Sequence, residues 1–219
     1  MAYKYLLAGA MAAALLTGCQ AANDAKDAAG DMAKDAAEVI APDLSVLTSG
    51  DYVMDKTHGY VMFTYLHQGY SKPILRFNDV DAVLTYDAED VSNSTVTVDI
   101  DPASIDSGVA KFDEHLVGED MFDVATFPEI KFTTTSFKRV TPSTGKLVGD
   151  LTMKGVTKPV TLDVDFNAAG INRWSKQPMM GFSARADILR SDWNLGYAVP
   201  AVSDEVEIIL EVEFSLKAE

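Results

Sequence analysis

Val160-Thr161-Leu162-Asp163-Val164-Asp165-Phe166 alternates apolar and polar side chains without a break. Successive side chains of an extended strand point to opposite faces, so this segment has one apolar face and one wet face. The same period of two recurs elsewhere. Val96, Val98 and Ile100 alternate with Thr95, Thr97 and Asp99; Phe182, Ala184, Ala186 and Ile188 alternate with Ser183, Arg185 and Asp187. Val206, Ile208, Leu210, Val212 and Phe214 stand opposite Glu205, Glu207 and Glu211. Each of these runs is a strand that must bury one face.

Further strands are expected near residues 51–56, 58–67, 74–87, 129–139 and 145–154, separated by Gly, Pro, Asn and Ser punctuation. The main helical candidate is 109–120 (VAKFDEHLVGED). An all-β domain of eight or so antiparallel strands can bury its apolar faces in a sandwich or in a closed barrel. Strand length favours the barrel, because sandwich strands are usually shorter. At eight strands a barrel leaves an interior wide enough for one ligand.

The ends of the chain differ from this body. Lys4 precedes the apolar run Tyr5–Leu16, which has the length of a signal-peptide core and is too short to span a bilayer. The run ends in Leu15-Leu16-Thr17-Gly18-Cys19, and Cys19 is the only cysteine of 219 residues. This pattern resembles the bacterial lipobox, which implies cleavage after residue 18, acylation of Cys19 and a stable membrane anchor. Gln20 in place of Asp points to an outer-membrane address facing the periplasm. Residues 19–49 are rich in Ala, Asp and Lys, with no wide apolar stripe, and are expected to form a partly helical tether. Residues 50–219 are the barrel domain.

Charge and motifs narrow the function. The chain carries 18 basic and 33 acidic residues, a net charge of −15. Nucleic-acid binding needs clustered cations, and so does simple docking on anionic headgroups; the overall balance opposes both. There is no G-x-S-x-G, H-E-x-x-H, P-loop or Rossmann fingerprint. His58 and His67 lie nine residues apart, an odd separation that puts them on opposite faces of a regular strand and away from a shared metal. His115, next to Asp113 and Glu114, is expected on a solvated helix face or in a cap. Arg190 is expected to pair with Asp192 or another carboxylate. No enzyme, metal site or cofactor is indicated.

In order along the chain stand DKTHGYVMFTYLHQGYS (55–71), VTVDIDPASIDSG (96–108), FDEHLVGEDMFDVATFPEIKFTTTSF (112–137), VGDLTMKGVTKPVTLDVDF (148–166) and ILRSDWNLGYAVPAVSDEVEIILEVEF (188–214). Together they resemble the YceI-like family across Gly50 to Leu216. The resemblance implies a lipocalin-like eight-stranded antiparallel barrel with one or more short helices, in the bacterial envelope, holding a long isoprenoid chain of polyprenyl or quinone type. Two positions depart from the family pattern: Gly59, where Ser is usual, and Asn194, which interrupts an aromatic-Gly pair.

The cavity candidates are Phe63, Phe77, Phe132, Phe166, Phe182 and Trp193. A bound isoprenoid lipid is the expected ligand, and the membrane, through acylated Cys19, the expected partner. Two functions fit the residues: a lipid carrier or reservoir, or a tethered interaction protein whose barrel is filled and whose outer surface docks a partner.

Overall fold

The computed structural model describes residues 44–218. The expected leader, the expected anchor Cys19 and the expected tether up to residue 43 lie outside the described residues.

Eleven strands run antiparallel: β1 (Gly50–Met54), β2 (Tyr60–His67), β3 (Ile74–Phe77), β4 (Val80–Tyr86), β5 (Thr95–Ile100), β6 (Ile105–Asp106), β7 (Ile130–Arg139), β8 (Thr144–Met153), β9 (Val156–Ile171), β10 (Pro178–Leu189) and β11 (Val202–Leu216). They make eight staves, because three staves are interrupted. β1 and β2 both pair with β11, at residues 214–216 and 202–211 respectively. Likewise β3 and β4 pair with β2 and β1, and β6 and β5 with β3 and β4. The sheet runs on through β7, β8, β9 and β10 to β11, and the β1–β11 pairing closes it into a barrel. Closure removes the free edges that an open sheet would expose.

The expected strand at 74–87 is one stave broken at Asn78 and Asp79, whose amides are taken up by Ser104 across the break. The expected helix over 109–120 is shorter: α1 spans Ala110–Leu116. Gly118 and the turns after it end it, with the Gly118 amide bonding back to the His115 carbonyl. At the β8–β9 hairpin Lys154 and Gly155 both take positive φ, 47° and 73°. That is the requirement of a two-residue turn matching the twist of its strands.

The barrel has two ends of different construction. At the helix end lie α1, the β8–β9 turn and the 190–201 connection; at the rim end lie the β4–β5, β7–β8 and β9–β10 connections and the 3-10 turn Leu44–Val46. The apolar residues of the alternating runs face inward, and the polar ones face solvent.

Candidate functional site

Inward-facing side chains from all eight staves enclose a cavity of about 610 Å³. Volumes of this size are typical of sites that hold a small molecule or a lipid chain. Val160, Leu162, Val164 and Phe166 of β9 line it, as do Val206, Ile208, Leu210, Val212 and Phe214 of β11. The period-two reading thus translates directly into the lumen wall.

Five of the six sequence candidates line this cavity: Phe63, Phe77, Phe132, Phe166 and Phe182. They fall into two aromatic groups. Toward the rim end Phe166 and Phe182 are 5.3 Å apart, with Phe214 edge-on to Phe182 at 6.2 Å. Toward the helix end Phe77 contacts Phe63 at 5.7 Å and Phe122 at 5.6 Å. Trp193 lies outside the lining. It is 2% exposed, its indole N–H donates to the Leu151 carbonyl at 3.0 Å, and Lys158 sits over its ring. Trp193 packs the helix end shut from behind the wall.

Two phenylalanines lie where they do because β8 carries glycines. A Cβ on Gly149 would stand 2.3 Å from the Phe132 ring, and one on Gly145 would stand 2.5 Å from the Phe137 ring. The rings occupy the space that these two residues leave free.

The lining is notable for one residue class. Its charged groups are Arg139 at the rim end and Arg190 at the helix end, together with His67 and His115; no carboxylate lines the cavity. With 33 acidic residues in the chain, all of those described point elsewhere. Acid–base catalysis by paired carboxylates therefore has no pair inside the lumen.

Arg190 does not form the expected ion pair. Asp192 bonds Lys158 instead. The Arg190 side chain is buried and donates to the carbonyls of Ser203 (2.9 Å), Tyr197 (2.9 Å), Val202 (3.2 Å) and Leu195. Burial pulls its pKa below the ordinary value, and the charge of Asp204 works in the opposite direction. Its role is to hold the 190–202 connection across the helix end. His115 also departs from expectation: it is half-buried and lines the cavity, with its ring 5.2 Å from Tyr197.

His58 and His67 are separated, as their spacing requires. His67 lines the lumen, whereas His58 stands on the outer wall. There His58 Nδ1 is 2.9 Å from Asp55 and 3.9 Å from Glu213. Bonds from the Thr57 hydroxyl and from His58 lower the Asp55 carboxyl pKa to about 2, and Asp55 in turn raises that of His58. This is an exposed ion-pair network at the β1–β2 break.

Residues 52–214 match the YceI-like domain. The chain belongs to the YceI-like family. A UPF0312 protein of Yersinia pestis is 36% identical over 167 residues, covering 75% of this chain and 86% of that one. Protein YceI of Salmonella arizonae is 36% identical over the same shares. Among solved structures, BcnA of Burkholderia cenocepacia aligns with a TM-score of 0.67 at 24% identity, covering 73% of this chain and 98% of that one. A polyisoprenoid binding domain from Saccharophagus degradans aligns at 0.57 with 13% identity, over 78% of this chain and 100% of that one. At these identities both show the shared eight-stranded barrel with its helix.

The two YceI-like positions at which this chain departs are structural. Gly59 faces Met54, whose Sδ would be 2.7 Å from a Cβ there. Asn194 ends the 3-10 turn Arg190–Trp193 in the left-handed conformation, φ 60°, which Asn tolerates well. Leu44 and Leu47, which also line the cavity, carried no sequence signal because they precede the first alternating run.

Proposed function

We propose that this YceI-like barrel holds one long-chain isoprenoid-type lipid, polyprenyl or quinone-like, in its lumen. It acts as a carrier or reservoir, not as an enzyme. It works at the bacterial envelope, exported and tethered through an acylated Cys19, on the periplasmic face of the outer membrane. The observation that carries this reading is the lumen itself: about 610 Å³, walled by aliphatic and aromatic side chains, without a carboxylate. An apolar chain gives up no hydrogen bond to water on entering such a space, whereas a polar substrate would leave its hydrogen bonds behind. The polyisoprenoid binding of the Saccharophagus degradans neighbour is of the same chemistry.

Burying about 40 carbons at ~0.8 kcal/mol each would exceed any real affinity, so ordering of the chain must cancel much of the gain. Selectivity then follows chain length and shape. Polar lining groups stand at both ends, among them Arg139, Ser143 and Thr144 at the rim end and His67, Gln68, His115 and Tyr197 at the other, and are available to a headgroup.

Native mass spectrometry of the full chain purified from a bacterial envelope, followed by solvent extraction, tests this. A co-purifying species with the mass of a prenyl lipid is expected. Ala184, which faces the lumen between Val164 and Leu210, gives the matching variant: Ala184→Phe should keep the fold and lose most of the lipid. An apo mass that stays unchanged after incubation with prenyl lipids would overturn the reading and favour a filled barrel acting through its surface.

A further inference from the structure

The chain's charge is strongly negative, yet two neighbouring hairpins at the rim end escape it. From Ile130 to Gly149, and again from Phe166 to Ala186, there is no acidic residue. These stretches hold the β7–β8 and β9–β10 turns, and the first turn touches the base of the second hairpin, where the Phe166 amide donates to the Ser143 carbonyl at 2.7 Å. The second hairpin also stands proud of the rim. β8 pairs with β9 only as far as Thr144 opposite Asp165, and β9 continues to Ile171. At ~3.3 Å per residue, β9 runs on about 20 Å along its own direction beyond the last β8 pairing.

What the tips display is specific. Trp174 is 88% exposed, Val140 59% and Ile171 48%, in positions where a soluble surface gains nothing from them. Around them Lys138, Arg139, Arg173 and Lys176 are exposed and, among the described residues, form no ion pair with a carboxylate. On the barrel wall, by contrast, Lys56, Lys131, Lys146, Lys158 and Arg185 all pair with Asp or Glu. An exposed indole flanked by free cations matches the lipid–water interface, where Trp sits at headgroup depth and Lys or Arg meets phosphate. The acidic β4–β5 connection, with Asp87, Glu89 and Asp90, occupies the same rim beyond the β7–β8 turn. The cationic surface is therefore one sector of the rim, centred on Trp174.

We infer that the β9–β10 hairpin and the adjoining β7–β8 turn form a docking surface for a bilayer with anionic headgroups, bringing the rim end of the lumen onto the membrane. Pro142, Ser143 and Arg139 belong both to this surface and to the cavity lining, so the docked sector borders the mouth. Exchange of cargo at that mouth rests on the lumen being a lipid site; docking itself does not. The described chain also begins at this end, with Leu44 lining the cavity. In the full chain a Cys19 anchor would precede Leu44 by only 25 residues.

The test uses the full chain reconstituted in vesicles containing phosphatidylglycerol and brominated acyl chains. Of the two tryptophans, Trp193 is buried, so quenching reports Trp174. Emission should shift to the blue and be quenched. The docked-to-free ratio should fall about tenfold or more in Arg173→Ala/Lys176→Ala, and similarly in pure phosphatidylcholine. Trp174→Phe should abolish the signal. Quenching that is absent, or unchanged in the double variant, would overturn the surface even if prenyl lipid co-purifies. Quenching in a protein that carries no lipid would retain the surface and remove the cargo.

Discussion

The two ends of the barrel are closed by different means. The helix end is finished like a protein core: Leu116, Phe122, Trp193 and Leu195 are all buried, and Arg190 ties four carbonyls of the connection together. Among the described residues, the rim end is covered by the short turn Leu44–Val46 and Leu47 after it. Leu47 is buried against the lumen, and the turn is held by the Tyr52 hydroxyl, which donates to the Thr48 carbonyl at 2.9 Å and accepts from its amide. A wall that needs several buried anchors to open is a base, and one closed by the leucines of a short turn, Leu44 and Leu47, is a door. Under the proposed lipid-binding function, exchange of cargo is expected at the rim end.

Substitutions on the two sides sharpen that contrast. The largest effect is expected from Trp193→Ala, which should cost about 3–5 kcal/mol in denaturant unfolding. Trp174→Ala, at the exposed hairpin, should stay within about 0.5 kcal/mol. Comparable losses would erase the distinction. Arg190→Met should cost about 2–3 kcal/mol, because buried carbonyls lose their donor. Leu47→Ala should cost about 2 kcal/mol or less, since the turn can settle into the space left. It should also speed release of a fluorescent prenyl analogue; slower or unchanged release would place the door elsewhere.

The smallest effect belongs to the outer wall. The Asp55 pKa is lowered, so its contribution to stability is present above the ordinary carboxylate value of 3.8 and is lost as pH falls toward 2. The His58 pKa is raised, so its share is full below the ordinary 6.5 and is lost as pH climbs through the raised value. His58→Gln should therefore lower Tm slightly near pH ~5.5 and leave it unchanged near pH ~9. A deficit of equal size at both would mean that the network is not electrostatic.

Strands were legible because alternation is a local property: the apolar residues of the runs at 95–100, 160–166, 182–188 and 206–214 line the lumen as spelled, except Ala186, which is buried without lining it. The break at Asn78 was not, since it is set by Ser104 on the neighbouring stave. Five phenylalanines could be placed for the same reason that the strands could. Trp193 and Arg190 could not, because neither sits in an alternating run and the partners of both are main-chain carbonyls, which leave no mark in a sequence. His115 was misplaced because Tyr197, the ring that it meets, is far away along the chain.

The glycines of β8 bear on how such a barrel changes over evolutionary time. Phe132 and Phe137 rest on Gly149 and Gly145, so the bore is set partly by residues that contribute no side chain to it. A single added methyl at Gly149 would meet both the Phe132 ring and the Thr133 carbonyl, so the ring and the β7 main chain beside it would have to shift and the bore would change without any lining residue being replaced. Relatives with identical linings can then differ in the girth of cargo they accept, and the difference would be written in the wall.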